Sequence, residues 1–225
     1  MELEIRVPEP ELMESPAQAR AYAAADFSAP HDAFVAAFRE RFPDLRDGTA
    51  VDLGCGAADI AVRFARAHPS VGVHGVDGSA AMLELGRTHV EKSGLDTRIT
   101  LQLARLPVAE PRETLGGPFA AVIANSVLHH LGDPMVLWHT AHALGAPGAP
   151  AFVMDLRRPA TTDDADALVA TYAAGEHPLL QEDFRASLCA AYTVDEVAAQ
   201  VEAAAVPLRI EALGDRHLLA WGHLR

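Results

Sequence analysis

The chain has 225 residues, half of them apolar and 22% charged, a composition typical of a globular protein with one large domain or two small ones. Its 31 acidic and 18 basic side chains give a formal net charge of −13, which argues against nucleic-acid binding, because phosphate neutralisation needs clustered Lys and Arg. No apolar stretch approaches the roughly 20 residues of a membrane-spanning helix.

Residues 1–44 are expected to form a helical extension that covers the rest of the molecule. Apolar residues recur at helical spacing between positions 11 and 41, and Pro16 and Pro30 divide this stretch into two helices. Tyr22 lies within it and is a candidate for contact with a bound ligand. The main domain is then expected to be 45–225.

From residue 49 onward, predicted strands and helices alternate. The predicted strands are 49–53, 71–77, 98–104, 119–126 and 151–156. The predicted helices between them are 60–67, 79–94 and 133–142, the last with Asp133 as N-cap and Pro134 at its first helical position. Such alternation predicts a doubly wound, Rossmann-like α/β fold with a parallel sheet.

After residue 156 the pattern changes to helices and then to a hairpin. Two helices are predicted within 161–190, broken at 175–178, and a third begins at Thr193, which forms a capping box with Glu196. Two strands with a turn at Gly214-Asp215 follow, and so short a turn makes them antiparallel. We therefore expect a helical insertion at about 156–192 and an antiparallel end to the sheet.

A glycine turn follows the first predicted strand and carries the strongest functional signal. The pattern Asp52-x-Gly54-x-Gly56 ends a strand and opens a helix, which brings bare backbone close to a ligand. A dinucleotide fingerprint would need glycine where Asp59 stands. The pattern instead resembles motif I of the class I S-adenosylmethionine-dependent methyltransferases, with Ala58 in place of that family's third glycine.

Further segments follow in the order that this family shows. Asp77 ends the second strand, where a carboxylate can accept hydrogen bonds from ribose hydroxyls. FAAVIANSVLHHLGDP resembles motif IV and its continuation, and Pro147-Gly148 resembles the turn before strand five. The resemblance covers about 45–222 and implies a seven-stranded sheet of order 3-2-1-4-5-7-6 with strand 7 antiparallel.

The resemblance also implies which residues bind the cofactor, S-adenosyl-L-methionine. Met82 matches the position that packs on the adenine, Arg105 and Leu106 lie near the adenine amine, and Asn125 with Ser126 would face the sulfonium. Structural alternatives remain open, since Met82 suits the core. The expected cofactor-binding set is Tyr22, Asp52, Gly54, Cys55, Gly56, Asp59, Asp77, Gly78, Met82, Arg105, Leu106, Asn125 and Ser126.

His129 and His130 directly follow the fourth strand, beside the expected methyl donor. A group with a pKa near 7 suits removal of a proton from an acceptor. Adjacent residues in a turn point about 100° apart, so we expect one ring to face the pocket and assign the catalytic role to His129, with His217 as the second candidate. The alternative is that one histidine packs under a helix and the other caps it.

Two other groups of polar residues have open assignments. Arg157 or Arg158 could pair with a substrate carboxylate or with the acidic helix that follows. No His, Cys or Asp spacing matches a zinc site, so no metal is expected.

These features together predict transfer of a methyl group to a small molecule by in-line displacement. The acidic N-terminus is unlike a signal peptide, and Cys55 and Cys189 cannot form a disulfide framework, so we expect a cytoplasmic protein without nucleic-acid or membrane partners. Two alternatives remain, a nucleotide-dependent oxidoreductase and a methyltransferase-like protein that binds the cofactor without methyl transfer, as a pericyclic catalyst or a binding partner. The acceptor atom and the oligomeric state are left open.

Overall fold

The computed structural model describes residues 2–3, 5–9 and 25–225. The first predicted helix and the cofactor contact assigned to Tyr22 lie outside these residues. Within the described ranges, no helix combines the length and the apolar character needed to cross a bilayer.

Strands and helices alternate along the described chain as the sequence predicts. The strands are β1 Gly48–Leu53, β2 Val71–Asp77, β3 Ile99–Leu103, β4 Ala121–Asn125, β5 Pro150–Leu156, β6 Leu208–Leu213 and β7 His217–His223. The helices are α1 Ser28–Arg41, α2 Asp59–Ala67, α3 Ala80–Lys92, α4 Pro111–Leu115, α5 Met135–Leu144, α6 Thr162–Tyr172, α7 Pro178–Ala190 and α8 Val194–Ala203, and a single 3₁₀ turn spans Leu128–His130.

The seven strands form one sheet in the order β3-β2-β1-β4-β5-β7-β6. The first five strands pair in parallel, whereas β7 is antiparallel to both β5 and β6. The predicted strand order and the antiparallel end are thus confirmed. Because β1 to β5 are parallel, their carboxyl ends meet at one edge of the sheet, where ligands bind in folds of this kind.

One face of the sheet is covered by α1, α2 and α3. Phe38 of α1 is fully buried and makes edge-to-face contacts with Phe64 of α2 and Phe152 of β5, with ring centroids 4.8 and 5.7 Å apart. The strands beneath are rich in Val, Ile and Ala because both of their faces are covered. Helix α1, predicted as part of the extension, therefore packs into the main core.

The opposite face is covered by α4, α5 and α8. Leu137 and Trp138 of α5 are fully buried, and Val197 and Val201 of α8 pack into the same cluster. The capping box that the sequence predicts at Thr193 is present, since its hydroxyl accepts from the Glu196 N–H and the Glu196 carboxylate accepts from the Thr193 N–H.

The helices α6 and α7 form the insertion predicted after β5. The insertion begins and ends at neighbouring points, because Arg157 and Tyr192 form an isolated parallel β-bridge. The N-terminal residues run along the insertion: Leu3 N–H donates to Ala160 O at 2.8 Å, and Val7 N–H donates to Cys189 O at 3.0 Å.

Local boundaries differ from the sequence prediction at three places. Pro30 lies in the first turn of α1 rather than between two helices, a position that proline tolerates because first-turn N–H groups have no partner within the helix. Helix α5 begins one residue later than expected, although Asp133 Oδ1 still accepts from Met135 N–H at 3.0 Å. The short helix α4 was not predicted.

Candidate functional site

A cavity of about 600 Å³ opens at the carboxyl edge of the sheet. Its walls come from the loops after β1, β2 and β4, from α6 and α7, and from the start of β7. All members of the predicted cofactor-binding set that the structure describes line this cavity, and so does His129. Its volume lies within the range of small-molecule sites.

The turn after β1 holds its backbone close to the loop after β4. Gly54 has φ +74°, and a Cβ at this position would lie 2.5 Å from Cγ2 of Val127, so both conformation and space require glycine. Ala58, which replaces the third glycine of the motif, adopts the same left-handed region with φ 64°. The departure from the family pattern therefore leaves the backbone turn intact.

The carboxylate of Asp77 connects, through hydrogen bonds, the turn after β1 and the residue that precedes α3. Its Oδ2 accepts from the Gly56 N–H and its Oδ1 from the Ser79 N–H, both at 2.8 Å. Ser79 caps α3 by accepting from the Met82 N–H at 3.2 Å. Burial raises the pKa of Asp77. Each carboxylate oxygen has capacity for a second hydrogen bond, so Asp77 can still accept from a ligand.

Two buried oxygen atoms in the cavity wall, Oδ2 of Asp52 and Oδ1 of Asn125, have no hydrogen-bond partner among the described residues. Burial, reinforced by the nearby Asp77, raises the pKa of Asp52 to about 8. Leaving such groups unpaired costs free energy unless a ligand satisfies them. A ligand with several hydrogen-bond donors, such as an adenosyl amino acid, fits this wall.

Asp59 begins α2 and joins the glycine turn to α1. Its Oδ2 accepts from His31 Nδ1 at 2.5 Å and from Arg63 Nε at 2.7 Å. Although burial opposes ionisation, these hydrogen bonds lower the pKa of Asp59 to about 2. The charge of this carboxylate is therefore balanced within the protein.

Met82 is both buried and part of the cavity wall. Its side chain is 5% exposed and lines the cavity, and its Cε lies 3.2 Å from the position that a Cβ on Gly56 would occupy. It is thus a core residue whose surface forms part of the cavity wall beside the glycine turn.

His129 is held by Asp155, at the end of β5. Asp155 Oδ1 accepts from His129 Nδ1 at 2.5 Å and Oδ2 accepts from the Leu128 N–H at 2.6 Å, with both side chains almost completely buried. Burial opposes both charges, but the two groups stabilise each other, which raises the pKa of His129 and lowers that of Asp155. With Nδ1 engaged, Nε2 is the ring nitrogen left to act in the cavity.

The prediction that only one of the two adjacent histidines faces the pocket was wrong. Both rings line the cavity with centroids 4.2 Å apart. Glu9 Oε1 lies between them, 3.4 Å from His129 Nε2 and 3.1 Å from His130 Nδ1. Successive Cα–Cβ bonds diverge, but the imidazole rings can turn towards one carboxylate. Sequence reasoning missed Glu9, because no local pattern links it to the histidines.

The segment that carries Glu9 is held in place by contacts of Arg6 and of Glu9 itself. The Arg6 guanidinium donates to the carbonyl oxygens of Ala190, His129 and Leu131, the last at 3.2 Å, and lies 4.5 Å from the ring centre of Tyr192. Ser187 Oγ donates to the Glu9 carboxylate at 3.1 Å. Burial raises the pKa of Glu9.

Neither Arg157 nor Arg158 lines the cavity. Arg158 pairs with Glu196 at 2.7 Å and donates to two backbone carbonyls, and Arg157 donates to Asp215 O at 2.9 Å. The described hydrogen bonds of both arginines go mainly to backbone carbonyls of neighbouring segments rather than to the cavity.

The hairpin turn both contacts the insertion and reaches the cavity. Tyr172 OH donates to Asp215 Oδ2 at 2.6 Å, and the Arg216 guanidinium lies 3.3 Å from the centre of the Tyr172 ring. His217 lines the cavity, and burial lowers its pKa to about 4, so this imidazole is neutral near pH 7. The second catalytic candidate of the sequence therefore lies in the cavity wall.

Comparison with known proteins agrees with this geometry. Residues 51–151 match the family model described as a methyltransferase domain. A methyltransferase from Aquifex aeolicus, described as S-adenosylmethionine dependent, has a TM-score of 0.67 at 15% identity, covering 94% of this chain and 99% of that one. Residues 51–151 thus resemble a methyltransferase domain, and the solved structure has the same fold over nearly the whole chain.

Other similar proteins are matched over only part of their length. A phosphoethanolamine N-methyltransferase 2 from Haemonchus contortus, solved with S-adenosyl-L-methionine, has a TM-score of 0.64 at 17% identity, covering 88% of this chain and 44% of that one. A ubiquinone biosynthesis O-methyltransferase from Caulobacter vibrioides is 31% identical over 110 residues, which are 49% of this chain and 41% of that relative. The chain thus spans about half the length of the curated relatives it matches.

Proposed function

We propose that this protein transfers the methyl group of S-adenosyl-L-methionine to a small-molecule acceptor. The observation that carries the proposal is one cavity that joins the glycine-turn wall to the His129–Asp155 pair. The cofactor, when bound, supplies a methyl group activated by attachment to a sulfonium. The residues around it need only align the reactants and exclude water.

The predicted cofactor set is retained as part of this proposal. The unpartnered oxygens of Asp52 and Asn125 supply acceptors for polar hydrogens of the cofactor, and Asp77 supplies acceptors for ribose hydroxyls. Met82, Arg105 and Leu106 form the wall that we assign to the adenine. Tyr22 stays a prediction from the sequence.

The acceptor is proposed to be a small molecule with a hydroxyl group. Support comes from the enclosed cavity, whose acceptor side is formed by the insertion, and from the names of the curated relatives, which are O-methyltransferases. Residues 1–44 and the insertion at 156–192 are proposed to cover the acceptor. The buried free cysteines suit a reducing cytoplasm.

His129 is proposed as the catalytic residue, acting on the acceptor through Nε2. A substitution of His129 by Ala should lower turnover by about 10²–10⁴-fold, the usual range for a group that assists loss of a proton. Affinity for S-adenosylhomocysteine should stay nearly unchanged, because the glycine turn and Asp77 are untouched. His139→Ala, which alters an exposed residue of α5, is the matched control.

The measurement is formation of S-adenosylhomocysteine from S-adenosylmethionine in the presence of a panel of phenols and other hydroxyl compounds, together with calorimetric titration of the cofactor product. Tight binding with no product from any acceptor would favour the binding-only alternative. A His129→Ala protein that keeps its turnover with its substrate would contradict the catalytic assignment.

A further inference from the structure

Three potential metal-ligand side chains converge on the acceptor side of the cavity. Nitrogen and oxygen ligand atoms of Glu9, His129 and His130 all lie within 4.8 Å of one another. Two ligands bound at about 2.0–2.2 Å from one ion lie about 3.0–3.5 Å apart. The measured separations of Glu9 Oε1 from the two ring nitrogens, 3.1 and 3.4 Å, fall in that range.

The chemistry of this donor set is that of a reactive metal site. Two imidazole nitrogens and one carboxylate bind Zn²⁺ in hydrolytic enzymes and Fe²⁺ in non-haem oxygenases, with positions left open for water or substrate. All three side chains line the cavity, so the remaining positions on an ion bound here would face the acceptor space.

A second shell of hydrogen bonds orients the imidazole of His129. Asp155 accepts from Nδ1, which fixes the tautomer whose Nε2 lone pair points towards Glu9. Asp155 is itself fixed by the backbone N–H groups of Leu128 and Leu156. A carboxylate behind a ligating histidine in this manner is a regular feature of metal sites.

The carboxylate ligand has its own supporting contacts. Ser187 Oγ lies 3.1 and 3.2 Å from the two oxygens of Glu9 and donates to that carboxylate. Arg6, three positions earlier, fastens the same segment to the carbonyls of the histidine turn. The three ligands are thus held together by neighbouring groups before any ion binds.

We propose that Glu9, His129 and His130 bind one divalent transition-metal ion of the zinc or ferrous-iron type, and that this ion holds an oxygen atom of the acceptor. The second part rests on the proposed function, whereas the binding site itself does not. An oxygen bound to such an ion gives up its proton to water more readily. His129 then acts on the acceptor as a metal ligand rather than as a base, and the sequence-based expectation of no metal is revised.

The test is titration of untagged, chelator-treated protein with Co²⁺, followed by calorimetry and by visible absorption of the bound ion. We expect one Co²⁺ per chain, with affinity at least tenfold weaker in Glu9→Gln and in His130→Ala. Ser187→Ala should weaken it about 10–100-fold, as loss of second-shell partners does. Glu2→Gln and His139→Ala, which change exposed residues, are matched controls and should bind as the unaltered protein does.

Absence of stoichiometric Co²⁺ binding would overturn the metal site, as would equal affinity in Glu9→Gln, His130→Ala and the controls. Circular dichroism and a cooperative urea transition show that each variant is folded. If one of Glu9→Gln, His130→Ala and Ser187→Ala fails to fold, the Co²⁺ affinities of the other two variants decide. The methyl-transfer assay of the unaltered protein judges the proposed function separately, because Co²⁺ binding is measured without cofactor or acceptor.

Discussion

Asp52 is a buried residue of the cavity wall whose pKa is raised to about 8. It is the penultimate residue of β1, with 1% exposure, and one of its oxygens has no partner among the described residues. The sequence predicted Asp52 as part of the glycine motif but not its burial, which follows from the central place of β1 between β2 and β4 and from the packing around the sheet. A carboxyl group in this position keeps its proton at neutral pH.

The raised pKa of Asp52 predicts a specific pH dependence of stability. Between the unfolded pKa of about 3.9 and the folded value of about 8, the folded chain binds more protons than the unfolded chain. Stability is therefore greatest below the lower value and is lost as pH rises towards the upper one. Asp52→Asn removes this pH-dependent loss of stability, because asparagine does not titrate.

Urea unfolding of ligand-free protein at pH 5, 6.5 and 8 measures the effect. The free energy of unfolding of Asp52→Asn should rise relative to that of the unaltered protein by about 1.4 kcal/mol per pH unit. A stability difference that stays constant across this range would show that Asp52 titrates normally.

Other contacts between residues could not be predicted from the sequence, for a physical reason. Glu9, His129 and His130 meet through a segment distant in sequence, and the partners of Arg157 and Arg158 are backbone carbonyls of remote loops. Such contacts leave no periodicity. Contacts between residues that are close in sequence do produce a local sequence pattern. The capping box at Thr193 was predicted for that reason.

The glycine turn shows why one element could be predicted in detail. Strand, turn and helix follow each other within 48–67, and the two glycines mark positions of positive φ. The same logic failed for α4, a helix of five residues that is too short to show a helical repeat. Predictability here depends on the length of the element and on conformations that few residue types adopt.

Gly54→Ala should destabilise the protein through two separate effects. A left-handed backbone costs alanine about 1–2 kcal/mol, and the overlap of its Cβ with Val127 adds about 1–3 kcal/mol, as overpacking does. Gly94→Ala is the matched control, since Gly94 also has positive φ, +65°, but nothing lies within 4 Å of an added Cβ.

Unfolding by urea should therefore show a loss of about 1–2 kcal/mol for Gly94→Ala and of about 2–5 kcal/mol for Gly54→Ala. Only Gly54→Ala should also weaken binding of S-adenosylhomocysteine. Equal losses in the two variants would mean that Val127 yields without cost and that backbone conformation alone matters.

At the scale of the whole molecule, the N-terminal segment and the insertion after β5 meet beside the cavity. The strand order and the insertion followed from the sequence, because alternating patterns and a short hairpin turn constrain topology strongly. The path of residues 5–9 across the insertion did not follow, since this segment forms no regular element. Yet it brings Arg6 and Glu9 to the acceptor side.

A chain that begins at Ala25 tests whether the N-terminal residues are needed for the reaction. Helix α1 and its phenylalanines stay in place, so the protein should fold and bind S-adenosylhomocysteine. Turnover should fall at least tenfold, because Glu9 and the anchor at Arg6 are gone. Full-length Glu9→Gln separates loss of the carboxylate from loss of cover. Full activity in the shortened chain would refute a role for this segment.

The bridge between Arg157 and Tyr192 brings the two ends of the insertion side by side at the rim of the sheet. Everything between them leaves and rejoins the fold at almost one point, so a replacement of another length would close the same gap with little entropic cost. The insertion, which forms the proposed acceptor side of the cavity, is therefore a unit that can be replaced as a whole. Under the proposed function, exchange of this insertion between similar proteins would change the acceptor wall and leave the proposed cofactor side unaltered.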